Sequence, residues 1–157
     1  MRLWRLVKTK FASAAFDGEG ARLYGARWNS PGTRVAYASS NSALAVLEVL
    51  VQMTAGGSLP GYSLITANIA DSFVEFLAVA DLPHNWNSSP VPLQVQAVGD
   101  AWVKSGRSLA LQVPSAIVQG SYNILINPEH SAFTQVTVES SEPFELDPRL
   151  HTAFTRD

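Results

Sequence analysis

What most restricts the fold is a train of short β-rich runs, parted by Gly, Pro, Asn and Ser signals, with only two stretches at helical spacing between them. Residues Arg2 to Val7 set Leu3, Arg5 and Val7 against Trp4 and Leu6, a first strand with both faces in use. Val35 to Ala38, Tyr62 to Ile69, Phe73 to Phe76, Leu109 to Val113, Ala116 to Val118 and Tyr122 to Ile126 read as further strands, and Phe133 to Glu139 alternates again. The cluster Ser39-Ser40-Asn41-Ser42 offers N-caps for a helix through about Met53, which Thr54 to Gly61 ends. Leu93 to Lys104 has helical spacing and stops at Gly106, a C-cap. Phe11 to Thr33 and Asp81 to Pro92, the latter around Trp86, read as loops. The sum is an α+β fold, with a central mixed or antiparallel sheet and two main helices.

At 157 residues the chain fits one domain, residues 1–157. Apolar residues make up 46% and charged residues 15%, which excludes a disordered chain. The net charge of -2 comes without a Lys/Arg-rich run, so direct nucleic-acid binding is not expected. Without cysteine there is no disulfide frame, thiolate site or Cys nucleophile, in keeping with a reducing compartment. His84, His130 and His151 lack ligand spacing, so no metal is expected. No apolar stretch approaches the ~20 residues of a membrane span, and a cytoplasmic location is expected. The apolar share is high for the charge, which suggests self-association, as a homodimer.

Within NSALAVLEVLVQM, Asn41 to Met53, the one charge is Glu48, set among Leu44-Ala45-Val46-Leu47 and Val49-Leu50-Val51. On a helix it shares a narrow stripe with Asn41, Ala45 and Gln52. That stripe touches solvent, or forms a structural ion pair with an arginine, or lines an apolar-walled cleft where desolvation and a cationic partner would set the protonation of the carboxylate.

Four segments together resemble the RES-domain family, toxins of bacterial toxin–antitoxin pairs: LWRLV (Leu3 to Val7), GEGARLYGARWNSPGTRVAYAS (Gly18 to Ser39), ALAVLEVLVQM (Ala43 to Met53), and VPSAIV with YNILINPEH (Val113 to His130). Pro83 to Pro92 and QAVGDAW, Gln96 to Trp102, look like the family as well. The Arg, Glu and Ser positions for which the family is named fall here on Arg5 or Arg27, Glu48 and Ser115. The resemblance implies a fold similar to ADP-ribosyltransferases of the diphtheria-toxin type and an activity that degrades NAD or transfers its ADP-ribose. It also implies a cognate Xre-type helix-turn-helix antitoxin as partner. NAD would be substrate, and no cofactor would be required.

The residue types suit that chemistry. Cleaving the nicotinamide–ribose bond passes through an oxocarbenium-like sugar, which a carboxylate such as Glu48 stabilises. The pyrophosphate needs cationic forks, for which Arg5 and Arg27 are candidates. Tyr37 is placed to stack on the nicotinamide ring, and Ser115 and Asn29 would complete the hydrogen bonding. Each has an ordinary structural use too: Arg27 as a cap on turn carbonyls, Tyr37 as a core residue with a bonded hydroxyl, Ser115 as a turn residue. Asn127-Pro128 and His130 read as a turn, and no GxGxxG follows a strand, so Rossmann-type binding is not expected. The competing function is a non-catalytic dinucleotide- or protein-binding module with the same fold.

Overall fold

The alternating runs become seven strands: β1 (Arg2–Lys8), β2 (Ala36–Ser39), β3 (Tyr62–Asn68), β4 (Val74–Phe76), β5 (Ala110–Pro114), β6 (Tyr122–Ile126) and β7 (Thr137–Phe144). In this computed structural model, which describes residues 1–53, 61–147 and 149–150, they form one mixed sheet in the order β4-β5-β6-β2-β1-β3-β7. The β4–β5 pair is parallel and the others antiparallel. A parallel pair needs a crossover, and the chain between β4 and β5 contains the long helix α3 (Leu93–Ser105). The other helices are α1 (Glu19–Tyr24) and α2 (Ser42–Leu50).

Period-two alternation sorts the core into two layers. Leu3, Val7, Ala36, Ala38, Ile65, Ala67, Ala110, Ile124 and Ile126 pack with Ala15 and Phe16 on one face. On the other, Leu111, Val113 and Leu125 pack with Val95 and Trp102 of α3, while Leu6 packs with Val46 and Leu50 of α2. Both main helices therefore cover the same face of the sheet, and turns cover the opposite one.

The helix ends follow local chemistry. Asn41 caps α2 by accepting the Leu44 amide at 2.8 Å. Gly106, left-handed at φ 57°, closes α3. α2 ends at Leu50 rather than Met53. The expected terminator after it falls largely on residues 54–60, and His151 is in the C-terminal tail; both lie outside the described residues.

Three expectations change. Phe11 to Thr33 is not loop throughout, because a 3-10 turn spans Thr9–Ala14 and α1 follows, its first amide (Glu19) bonded to Asp17 Oδ1 at 2.9 Å. Ala116 to Val118 is not a strand: the Ser115 hydroxyl accepts the amides of Ile117 and Val118 at 3.1 and 3.2 Å, taking donors a ladder would need. Phe133–Gln135 is a 3-10 turn, so β7 begins only at Thr137. Among the described residues no helix is long and apolar enough to cross a membrane.

Candidate active site

The sheet is weakest at its centre. β1 and β2 share a single pair, Trp4↔Ser39, whereas β1 and β3 pair along the whole strand. Where the ladder stops, the Arg5 guanidinium takes over and donates through Nη1 to the carbonyl of Tyr37. Its Nε is buried without a hydrogen-bond partner. Burial pushes the guanidinium down to about 10, against the pull of Asp17 and Tyr37, so it remains a cation at neutral pH.

Arg27 stands in the loop between α1 and β2 and donates through Nη1 to the carbonyls of Trp86 and Ser88, at 2.9 and 3.1 Å. Burial lowers it from the ordinary guanidinium value, with Glu48 and then Tyr37 acting in the opposite sense. Other arginines pair with carboxylates, Arg2 with Glu139, Arg22 and Arg34 with Glu19, Arg107 with Glu75. Among the described residues Arg5 and Arg27 have only carbonyl partners, which leaves two partly buried positive charges without a carboxylate contact there.

Tyr37 feels both charges. Its hydroxyl donates to Asn29 Oδ1 at 2.7 Å and accepts the Trp28 amide at 3.1 Å. Burial raises its pKa far above the ordinary phenol value, although Arg5 and Arg27 act to lower it. The phenol therefore stays neutral and its ring is held by its own hydroxyl. Asn29 is fully buried, and its amide donates to the carbonyls of Ala21, Ser30 and Thr33. Its polar groups are thus engaged in shaping the loop and fixing Tyr37.

Glu48 projects from α2 toward the start of β6. Its Oε1 accepts from Asn123 Nδ2 and, at 3.4 Å, from the Ser115 hydroxyl. Asn123 Oδ1 in turn accepts from Ser39 at 2.8 Å, within a buried pair facing across β2 and β6. The carboxylate is held by neutral donors, and among the described residues no arginine pairs with it. Of the three readings of its stripe, the ion pair does not form, and the side chain turns toward the sheet.

The structure thus links Arg5 to Tyr37, and Arg27 electrostatically to both Tyr37 and Glu48, with Ser115 bonded to the carboxylate and Asn29 to the phenol. Sequence reasoning missed Asn123 and Ser39. The signal for Asn123 was there: like Glu48, it is a polar residue in an otherwise apolar run, YNILI. Trp86, in the loop gripped by Arg27, stacks on Trp28 with ring centroids 6.1 Å apart. His130 makes a turn contact, its Nδ1 accepting the Ala132 amide at 3.0 Å. Among the described residues no group of three or more His, Asp or Glu side chains is placed to hold a metal ion.

Residues 2–147 match the RES domain as a protein family. Toxin Res of Yersinia enterocolitica is 38% identical over 152 residues, covering 96% of this chain and 99% of that protein. The Prs ADP-ribosylating toxin of a Sphingobium species is 33% identical over 152 residues, 94% of each chain. Among solved structures, a chain of the M. tuberculosis MbcT–MbcA toxin–antitoxin complex superposes with a TM-score of 0.74 at 24% identity, over 98% of this chain and 88% of that one, and so has the same fold.

Proposed function

The chain belongs to the RES-domain family, and from that membership we propose that it is the toxin of a toxin–antitoxin pair, an enzyme that cleaves NAD at the nicotinamide–ribose bond. The observation that carries this reading is a pair of guanidiniums that meet no carboxylate among the described residues, Arg5 with an unpartnered buried Nε and Arg27 on loop carbonyls, both acting on Tyr37. Such cations suit a dianionic pyrophosphate, whose oxygens would supply the missing acceptor.

Tyr37, fixed through its hydroxyl, offers its ring to the nicotinamide. As the C–N bond breaks, its electron pair leaves with nicotinamide and positive charge develops on the ribose. Glu48, oriented by Asn123 and Ser115, stabilises that charge and accepts hydrogen bonds from ribose hydroxyls. An acceptor then forms the new bond to the sugar carbon and gives up its proton. Water would yield ADP-ribose, phosphate its phosphorylated form, and a protein side chain an ADP-ribosylated protein. The name of the Sphingobium relative supports the last of these.

NAD is substrate here, and the reading calls for no metal or further cofactor. A chain that consumes NAD in the cytoplasm must be silenced in the cell that makes it. Its partner in this reading is an Xre-type helix-turn-helix antitoxin, which makes the DNA contact for which this chain has no basic run. The free toxin is a homodimer.

The test follows nicotinamide by one-dimensional NMR while pure protein is incubated with NAD in buffer, with phosphate, and with lysate. Release under any condition supports the enzyme and identifies the acceptor. No release under all three, with ADP-ribose still bound, sinks the catalytic reading in favour of a binding module.

A further inference from the structure

Arg27 belongs to a tight loop closed by the Ala26 amide on the Asn29 carbonyl at 2.9 Å. One side of that loop lies along α3. Gln96 Nε2 donates to the Ala26 carbonyl at 2.9 Å. Asp100 accepts the Ser30 amide at 3.0 Å on one oxygen and the Ser30 hydroxyl at 2.5 Å on the other. Between these two anchors Gly99 meets the loop so closely that a Cβ there would stand 1.7 Å from the Trp28 carbonyl oxygen. Residues 96, 99 and 100 share one face of a helix, so the three contacts form a continuous rail. They bracket Arg27 and Trp28 from Ala26 to Ser30.

The same helix governs the other end of Arg27. Its guanidinium grips the carbonyls of Trp86 and Ser88, in the segment that leads into α3 at Leu93. Asp100 also acts electrostatically on the phenol of Tyr37. A shift of the loop along α3 would therefore move Arg27 relative to both Tyr37 and Glu48.

We infer that Gln96, Gly99 and Asp100 are positioning residues for the reaction, setting where the Arg27 guanidinium stands in the site. This rests on the reading of that site as one that holds the pyrophosphate of NAD. None of the three need touch substrate. Misplacement of a binding group by about 1 Å is enough to cost a large factor in rate or affinity.

The test compares Asp100→Ala, Asp100→Asn and Ser108→Ala in the full chain. Asp100→Ala removes the anchor at Ser30. Asp100→Asn keeps an oxygen for the Ser30 amide and an amide donor for the Ser30 hydroxyl. Ser108→Ala removes the acceptor of Trp102 Nε1, a 2.8 Å bond at the far end of the same helix. ADP-ribose Kd is read by calorimetry, KM and kcat from nicotinamide release, and Tm by circular dichroism. Expected are a Kd and KM raised about tenfold by Asp100→Ala with a smaller loss in kcat, and recovery to within about threefold in Asp100→Asn. Ser108→Ala should lower Tm and leave Kd unchanged. An unaltered Kd in Asp100→Ala, or an equal loss in Ser108→Ala, overturns the inference. A ligand-free readout keeps the two ideas separate: the Arg27 Nε–H resonance should move in Asp100→Ala and stay put in Ser108→Ala. If the parent protein binds no ADP-ribose, the function reading fails, and that resonance alone decides the positioning.

Discussion

Replacing Gly99 by alanine should be among the most damaging single-methyl additions this fold can receive. The new Cβ would lie 1.7 Å from the Trp28 carbonyl oxygen and 2.8 Å from its carbon, so helix and loop must part by about 1.3 Å to reach even 3.0 Å. Trp28 is buried and stacked on Trp86, which leaves the loop little room to yield. Overpacking of this kind costs about 1–3 kcal/mol. Separation would also stretch the Gln96–Ala26 and Asp100–Ser30 bonds, worth roughly 1 kcal/mol or more each. The total, about 3–5 kcal/mol, is a large part of the ~5–15 kcal/mol that holds a typical domain. With a urea slope of about 2 kcal/mol/M, the unfolding midpoint should fall by roughly 1.5–2.5 M. Gly20→Ala is the matched control. It lies in α1 with nothing within 4 Å of its Cβ, and the change should leave stability level or raise it by about 0.4–1 kcal/mol. A Gly99→Ala protein with the parent's urea midpoint would refute the close approach of α3 to the Arg27 loop.

Glu48→Gln keeps an oxygen for Asn123 and Ser115 while removing the charge, so it should keep the parent's thermal midpoint and lose about a hundredfold or more in nicotinamide release; full activity in a folded variant would make Glu48 a bystander. Arg5→Met should weaken ADP-ribose binding in calorimetry by about 1.5–3 kcal/mol, and unchanged affinity would place the pyrophosphate elsewhere. The same variant tests the pH dependence. Arg5 is pushed down to about 10 in the folded chain, below its unfolded value, so above pH 10 the unfolded chain holds its extra proton. This group's contribution to stability therefore rises with pH, opposite in sign to that of buried Tyr37, and the difference between parent and Arg5→Met in denaturation at alkaline pH should show that rise. With the antitoxin bound, NAD should be excluded, and Arg27→Glu should loosen both NAD and the complex. A complex that takes up NAD as well as the free chain does would mean silencing is conformational.

Much of the scaffold was legible because it is local. Alternation in RLWRLV and YNILI assigned strands and, through period two, their faces; Asn41 and Gly106 marked helix ends through their own backbone chemistry. Glu48 could be singled out as a lone carboxylate in an apolar helix. The errors were local conflicts settled by neighbours: the β-prone Ala116 to Val118 yields to the Ser115 hydroxyl, and the Gly-rich segment before Thr33 folds into short helical turns.

What surrounds each site residue was decided only by the tertiary structure. Glu48 meets Asn123, far along the chain, because β6 lies beside β2, and strand order is set by the burial of whole faces rather than by any residue near Glu48. Asn29, read as a ligand contact, is engaged inside its loop by Ala21, Thr33 and Tyr37. Arg5 keeps an unpartnered Nε because β1 and β2 part after one pair, and Arg27 is aimed by a helix that begins well beyond it in the chain. Residue type and spacing determine which chemistry a chain carries. Where those groups point depends on contacts whose energy arises only when distant segments pack, and that information is spread over the whole sequence rather than written beside the residue.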